Sequence, residues 1–593
     1  MAGLPPPIPP SLQIYNSYVV DPEWQRKFTI IWCSAVGVVV VVSLPKLTQS
    51  LRNGRSLKGF FGVSEDLQKD GYISIVCEDR IPPSRSNHSV TRFWRSLMSV
   101  RYWTLPYIGL NLAQTFIVLA YLAVVLLCVI KDAPLISNPN RAGFLALAQL
   151  PVVFLFATKN SILSLLLGPG NGYEKLNYVH RMAGRLMFLS ACIHGSLWIN
   201  NHLVYGLPIL GPQKETSGVA SFSLLGIIVL TSLRPVRRLF YEAFFFVHIL
   251  IFVAFFVTIR YHTLYAAPWI FPALAFFGAD MFLRFLRYRI KDAKLIALDK
   301  FMTIVQVADC DDGWLAGQHI RLRVFFSNRM FESHPFTVLS APPAHSCLSN
   351  SGMILAARVH GDWTQALNDF TCQEQDRLQF SEKRGDEHGI PAHIMIDGPY
   401  GGSSVDLGQY ETVLLIAGGS GATFTLGLLD DIVGRCIKLG RRGGEQTRRL
   451  EFVWCLRSFG HISWFSSILA DIASIAAKST LDLHISIFVT CLCDPEAVPV
   501  IPNCEVKLER PSVYSLLCGV TEISSRPSLD SAEGQLEVFD KAPTRPVHGG
   551  GIAVCASGPE SLTRETQNAV AKLGAAKVME LGGISLHVEN FTL

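Results

Sequence analysis

The sequence predicts a multi-domain membrane protein: an α-helical transmembrane bundle of about seven helices, then a soluble antiparallel β-barrel and a parallel α/β nucleotide-binding domain. Three observations carry this. Of 593 residues, 49% are hydrophobic and only 17% are charged, and the mean hydropathy is +0.31, the balance of an integral membrane chain with a soluble part. The long charge-poor runs all fall before residue 290. After it, short β-rich runs give way to a repeating order of strand, glycine turn and helix.

Seven charge-poor runs, at 28–45, 103–130, 142–167, 176–200, 216–233, 241–261 and 266–283, come near the ~20 residues that cross a bilayer as helix. Lys and Arg crowd residues 46–101, "RPVRR" and "RFLRYRIKDAK", which places those loops and everything after residue 290 in the cytoplasm. The sequon at Asn87 then faces inward and is expected to stay unmodified. The start, "MAGLPPPIPP", shows no cleavable signal, so the first apolar run is expected to act as a signal anchor. The net charge of +5 matters less than its placement, and no nucleic-acid partner is expected. Fourteen scattered cysteines without a CxxC pair read as free thiols.

Beyond residue 290, "HIRLRVFF" and "GMILAARVH" are punctuated by Gly and Pro, which suggests an antiparallel barrel. From about 410, "ETVLLIAGGSGATFTLGLLDDI", "RLEFVWCLRSFGHISWF" and "GIAVCASGPESL" alternate strand and helix, the pattern of a parallel nucleotide-binding sheet. Residues 500–548 read as a variable, partly disordered insertion. The expected divisions are 1–105, 106–290, 291–404 and 405–593.

Chemistry enters with two pairs of histidines. In "NYVHRMAGRLMFLSACIHGSLW", His180 and His194 are fourteen residues apart, and His248 and His262 repeat that spacing in "FYEAFFFVHILIFVAFFVTIRYHTL". Fourteen residues make nearly four helical turns and a rise of about 21 Å, so each pair shares one face at two depths. Ionisable groups inside a bilayer are costly and mark functional sites. With the two helices as antiparallel partners, His180 is expected to meet His248 at the cytoplasmic depth, and His194 to meet His262 at the outer depth. Facing imidazoles are the ligand set of a six-coordinate haem, which suits electron transfer. Zinc is the other candidate, less apt without Cys or Asp nearby. His202, near the outer end, reads as a loop residue, with a place beside the outer haem as the alternative.

The soluble part offers "HPFTVLS", in which His334, Pro335, Phe336 and Thr337 give the aromatic-then-hydroxyl order that can stack on a flavin and bond its edge. "DGPYGG", with Gly398 and Gly401, and "AGGSGATF", with Gly418, Gly419 and Gly421, put glycine where backbone must approach phosphates. Each motif alone is weak. Their order behind the membrane histidines is much stronger.

In that order "KNSILSLLLG", "YEKLNYVHRMAGRLMFL", "VRRLFYEAFFFVH", "AGQHIRLRV", "HPFTVLS", "DGPYGG", "LLIAGGSGATF" and "LHVENF" resemble the motifs of fungal ferric reductase transmembrane components, over roughly residues 140–593. The superfamily also contains the NADPH oxidases, and the histidine-bearing motifs look closer to the metalloreductases. The resemblance implies a ferredoxin-reductase-like soluble module and the cofactors FAD, NADPH and two haem b. His180 and His248 would bind the inner haem, and His194 and His262 the outer one. His334 and Thr337 would contact FAD, Phe336 would stack on its ring, and Trp363 and Thr364 of "GDWTQAL" would lie near its pyrophosphate. Gly418, Gly419 and Gly421 would cradle the NADPH pyrophosphate, Arg457 would read its 2′-phosphate, and Cys555 and Gly558 would lie where nicotinamide meets flavin.

The tail departs from the family, where an aromatic residue often covers the flavin; here the chain ends "VENFTL", with Phe591 two places before the last residue. The implied activity moves electrons from cytosolic NADPH through FAD and two haems to ferric chelates or cupric ions across the membrane. An NADPH oxidase making superoxide is the alternative on the same path. The resemblance further implies the plasma membrane, with a vacuolar membrane as the alternative, and as partner a multicopper oxidase and iron permease uptake system. A transporter or scaffold would need the paired histidines and the nucleotide turns to be accidental.

Overall fold

A computed structural model describes residues 15–65, 98–105, 109–350, 352–380, 389–491, 499–525 and 550–590. Asn87, most of the basic loop 46–101, and Phe591 lie outside the described residues.

The membrane part is built from α1 (Ser17–Arg52), α2 (Leu112–Ile130), α3 (Asn140–Ala148), α4 (Leu150–Leu155), α5 (Ile162–Leu167), α6 (Tyr173–Val204), α7 (Gln213–Thr231), α8 (Arg234–Leu239), α9 (Tyr241–His262) and α10 (Ala267–Arg287). Asn111 starts α2 with a reciprocal capping box to Gln114. Among the described residues five helical stretches are long and apolar enough to cross a bilayer: α1, α2, α6, α9, and Leu264–Arg287 containing α10. Seven were expected, and the two other runs are helical but fall short of that length or apolarity. The run at 142–167 is broken into three, because Pro151 has no N–H for a continuous ladder and opens α4 at its first turn. The run at 216–233 is helical as α7, but its first turn carries Lys214 and Glu215 and its apolar part is short.

The barrel-like sheet contains β1 (Arg289–Asp299), β2 (Met302–Val307), β3 (Gln318–Val324), β4 (His334–Thr337), β5 (Met353–Arg358) and β6 (Ile390–Gly401) in the antiparallel order β4-β3-β6-β1-β2-β5. A bridge between Val338 and Leu355 brings its two ends together. Along β3 burial alternates strictly, so Ile320, Leu322 and Val324 fill the interior with Leu295, Val305 and Leu355. Helix α11 (Asp362–Phe380) follows β5.

The second sheet is wholly parallel: β7 (Thr412–Gly418), β8 (Arg449–Leu456), β9 (Asp482–Val489), β10 (Cys504–Lys507), β11 (Ile552–Gly558) and β12 (Ile584–Asn590), ordered β10-β9-β8-β7-β11-β12. Strand order reverses between β7 and β11, so the ligand crevice of such a sheet lies beyond their carboxyl ends. Helices α12 (Ala422–Ile437), α13 (Ser466–Ala476), α14 (Val513–Ser525), α15 (Glu560–Lys572) and α16 (Ala575–Glu580) cover it. The expected insertion at 500–548 is corrected in its first half. Residues 504–507 add an edge strand, and α14 buries Val513, Leu517 and Val520 against the sheet's other core; the rest lies outside the described residues.

The soluble module docks directly beneath the bundle. Gly170, just before α6, bonds the Gly401 carbonyl at 3.2 Å, and a Cβ on it would lie 2.2 Å from the Ser404 nitrogen. Glu174 pairs with His319 at 3.6 Å, Lys175 with Glu589 at 3.6 Å, and Arg284 with the nearly buried Asp397 at 2.8 Å. From the other side, Arg55 beyond α1 reaches Asp406 at 3.3 Å, and Lys58 reaches Asp312 at 2.8 Å.

Candidate functional site

Helices α6 and α9 carry the four histidines. His180 and His248 face each other with ring centroids 6.3 Å apart, and His194 and His262 at 6.2 Å, both with ring planes inclined by 69°. The N-terminal histidines of the two helices pair with each other and so do the C-terminal ones, so α6 and α9 run in the same direction and α7 returns between them. The expected antiparallel arrangement is therefore wrong, since it would have matched His180 with His262.

Every one of the four rings is anchored through Nδ1. His180 bonds the Val153 carbonyl at 2.9 Å, His194 the Pro139 carbonyl at 3.0 Å, and His262 the Lys214 carbonyl at 2.8 Å. A carbonyl only accepts, so Nδ1 holds the proton and Nε2 keeps its lone pair. His248 lies 3.4 Å from the Ser232 hydroxyl, which already donates to the Ile228 carbonyl at 2.6 Å and so serves His248 as acceptor. That second contact fixes tautomer and ring orientation in metal-ligating histidines.

Glycines give the outer rings room. A Cβ on Gly143 of α3 would stand 2.9 Å from His194 Nδ1, and one on Gly218 of α7 would stand 2.7 Å from His262 Nδ1. An open cavity with about 1370 Å³ of free space, counted out to its mouth, runs past His194 and His262 and is walled by Leu147, Leu150, Met187 and Phe255. Among the described residues, no third His, Cys, Asp or Glu joins either histidine pair; a possible three-ligand group is found instead at Glu242, Glu332 and His334. Tetrahedral zinc, which takes three or four protein ligands, therefore fits neither pair.

A metal–nitrogen bond of about 2 Å on each side, plus a ring radius of roughly 1.1 Å, sets two imidazoles on opposite faces of one metal about 6.3 Å apart. Both observed separations match that length.

In the barrel, His334 to Thr337 form β4, paired with β3 so that His319 opposes Thr337 and Ile320 opposes Phe336. Pro335 is exposed, Phe336 half-buried and Thr337 buried. Trp363 lies 3% exposed beneath them, 4.5 Å from the His334 ring and 5.8 Å from that of Phe336. It is a floor for the strand, and its buried Nε1 has no hydrogen-bond partner among the described residues. The Thr364 hydroxyl is taken up at the start of α11, accepting from the backbone N–H of His360 and Gly361. Burial pushes the His334 imidazole down from its usual range, against the opposing pull of Glu332. Gly398 and Gly401 fall in β6 at the docking surface, where a Cβ on Gly401 would lie 3.1 Å from His319.

The three glycines after β7 divide their roles. A Cβ on Gly421 would lie 2.4 Å from the Ser557 carbonyl, and one on Gly418 would lie 2.9 Å from Pro559 and Leu562, so both let β7 and β11 approach. Gly419, with φ of +57°, turns the chain outward, and its carbonyl is held by Trp454 Nε1 at 3.0 Å. Gly558 packs against Gly418. Cys555 is fully buried in the sheet core, 3.9 Å from the Ser403 hydroxyl, and burial raises its thiol to about 12. Ser557, paired with Ala417 beside the glycine turn, occupies the rim, and its buried hydroxyl has no hydrogen-bond partner among the described residues. Arg457 is exposed two residues past Cys455, which pairs with Gly418, so it lies at the same rim.

Arg358 escaped the sequence reading. At the end of β5 its guanidinium comes within 3.6 Å of the place a Gly419 Cβ would take, and it lies 6.0 Å over the Trp464 ring, on which His461 stacks at 4.1 Å. A single Arg in "AARVHGDW" has no motif to flag it; only the docking of barrel on sheet brings it to the turn.

Residues 142–259 match the ferric reductase like transmembrane component, residues 287–404 an FAD-binding domain, and residues 410–571 the ferric reductase NAD binding domain. Ferric reductase transmembrane component 3 of Saccharomyces cerevisiae is 28% identical over 331 residues, 54% of this chain and 43% of that protein. Ferric/cupric reductase transmembrane component 2 of the same yeast is 28% identical over 323 residues, 52% of this chain and 42% of that one. Ferric reductase transmembrane component 1 of Schizosaccharomyces pombe is 25% identical over 352 residues, 54% and 59% of the two chains. The chain thus spans about half the length of the curated relatives it matches. Along one chain, then, a ferric reductase like transmembrane component, an FAD-binding domain and a ferric reductase NAD binding domain are matched in that order, and these curated relatives, at 25–28% identity, are fungal ferric reductase transmembrane components.

Proposed function

We propose that this chain is a transmembrane ferric reductase, passing electrons from cytosolic NADPH through FAD and two haems to Fe(III) chelates or Cu(II) on the far side. The observation that carries this is the pair of imidazole pairs, each at the separation of trans ligands on one metal and each ring locked through Nδ1. The donor set fits haem, and at the outer pair the cavity walls are apolar, as a porphyrin requires. When bound, flavin supplies the split of a hydride pair into single electrons, and the two haems supply one-electron carriers.

The chain's own residues do the placing. His180 and His248 would hold the inner haem and His194 and His262 the outer, and two imidazoles on one haem would favour electron transfer over the binding of small molecules. The shared spacing along α6 and α9 sets the two histidine pairs about 21 Å apart along the helix axis. On the cytosolic side, β4 offers the Phe336 edge and Thr337 to the flavin over the Trp363 floor. The free N-terminus of α11 and the Arg358 guanidinium suit its pyrophosphate. Gly419, Arg457 and Ser557 frame the crevice for NADPH where the strand order reverses. The docking of Gly170 on Gly401 brings the flavin strand's sheet directly beneath the inner pair. Cu(II) as a second acceptor is supported by the name of the ferric/cupric yeast relative.

Anaerobic reduction of the purified protein by NADPH, followed by separate additions of a ferric chelate and of oxygen, tests this. Bis-imidazole haem bands reoxidised much faster by the chelate than by oxygen, with matching Fe(II), are expected. Faster reoxidation by oxygen with accumulating superoxide replaces the reading with an oxidase, and absent haem bands end it.

A further inference from the structure

The membrane domain holds a fifth histidine prepared in the same way. His202, in the last turn of α6, bonds the Pro208 carbonyl through Nδ1 at 3.1 Å, which leaves Nε2 with its lone pair, as in the carbonyl-anchored haem candidates. It differs from them in having no partner imidazole. Its ring neighbour is Trp198, edge-on at 5.2 Å, and Trp198 is in turn edge-on to His194 at 6.4 Å. Residues 194, 198 and 202 stack at successive turns on one face of α6. The Trp198 ring is fixed in that row by a 3.1 Å bond from its Nε1 to Asn140. The cavity that passes between His194 and His262 also reaches His202, Lys214 and Glu215, and His202 is only half-buried on its wall.

We infer that His202 is a ligand for the metal acceptor, binding Fe(III) or Cu(II) through Nε2 at the outer mouth of the cavity, with the Glu215 carboxylate on the same wall. This rests on the ferric reductase reading and names the residue at which its substrate is held. Imidazole suits both metals, and a carboxylate adds the hard oxygen that Fe(III) favours. The chelate supplies the remaining ligands, so one protein nitrogen suffices to bring the metal to the end of the row His194, Trp198, His202. The step would be a one-electron transfer: bound Fe(III) would become Fe(II), taking its electron from the reduced one-electron carrier that His194 and His262 would hold, which would be oxidised by one electron. No proton moves and no covalent bond of the protein changes. The lower charge of Fe(II) weakens its hold on nitrogen and carboxylate, which favours release.

The competing reading is that His202 only ties the end of α6 to Pro208. His202→Asn separates the two, because the Asn amide can still donate to that carbonyl but offers no imidazole Nε2. Full-length, haem-loaded protein in detergent is titrated with Cu(II) and followed by electron paramagnetic resonance. Wild type is expected to show a bound Cu(II) with nitrogen coupling that is missing from H202N, so that the difference spectrum isolates this site from other surface histidines. The KM for a ferric chelate should rise by about tenfold or more in H202N, while anaerobic haem reduction by NADPH keeps its rate. An unchanged Cu(II) signal with an unchanged KM overturns the proposal. Nitrogen coupling lost in H202N from a wild type that reduces no ferric chelate upholds the metal site and overturns the reductase reading instead.

Discussion

The inner and outer histidine pairs share spacing, separation and ring inclination, yet they are built differently. Both outer rings rest on backbone carbonyls, at 3.0 and 2.8 Å, and lie against glycines of neighbouring helices. At the inner pair one anchor is a carbonyl and the other a hydroxyl at 3.4 Å. The outer anchors are themselves braced. Pro139 opens α3, where buried Arg141 pairs with buried Asp21 of α1 at 2.5 Å and Asn140 bonds Ser17 at 2.9 Å. Gln25 of α1 holds the Phe144 carbonyl at 2.6 Å. The inner pair has instead the docked soluble module below it, through Glu174, Lys175 and Arg284. The lesson is that the same facing-imidazole geometry is held from two sides, by α1 at one pair and by the soluble module at the other.

Removing one ligand from each pair tests the comparison most severely. Alanine at His180 or at His194 should lower haem from two to one per chain and abolish ferric reduction. The order of the pairs predicts different residues of function: H194A should still let NADPH reduce its remaining haem, whereas H180A should not. Haem stoichiometry and anaerobic spectra read this directly, and a variant reduced equally in both cases would show that the pairs are not in series. A smaller effect is expected from Gly143→Ala, whose methyl would enter to within 3.0 Å of three His194 ring atoms. Crowding of this kind costs about 1–3 kcal/mol. The outer haem should lose occupancy or shift its spectrum, the inner haem should not, and the melting temperature should fall; equal change at both haems would erase the distinction.

The pairs were legible in the sequence because a spacing of fourteen survives any packing of the helices. Their direction was not. Whether His180 meets His248 or His262 depends on how many helices return between them, and the break at Pro151 hid behind a hydropathy run that averages over it. The glycine turn was legible as a turn, but which glycine faces a ligand depends on what lies within a few ångströms, and only Gly419 is turned outward. Cys555 and Ser557 point to the same side of β11, so alternation cannot separate them. The difference is depth, set by the pairing of 555 with Leu415 and 557 with Ala417. Arg358 and the second shell of the histidines were invisible for a related reason: Val153, Pro139 and Lys214 act through carbonyls, which carry no sequence signal.

That last point also sets where the wire can be tuned. Three of the four Nδ1 partners are backbone carbonyls, and no side-chain substitution deletes them. Ser232 is the exception, so the inner pair alone has an anchor that a single substitution removes. Ser232→Ala leaves the Nδ1 proton of His248 without its acceptor, at a cost expected near the low end of 0.5–1.5 kcal/mol because the contact is long. A hydrogen-bonded Nδ1–H makes the imidazole a stronger donor and favours Fe(III). Its loss should therefore raise the midpoint potential of the inner haem, by about 20–40 mV for one electron, and leave the outer haem where it was. Potentiometric titration of the two haems in S232A reads both values. A shift confined to the inner haem sharpens the contrast between a hydroxyl and a carbonyl anchor, and a shift of the outer haem, or of neither, removes Ser232 from the account of how His248 is held.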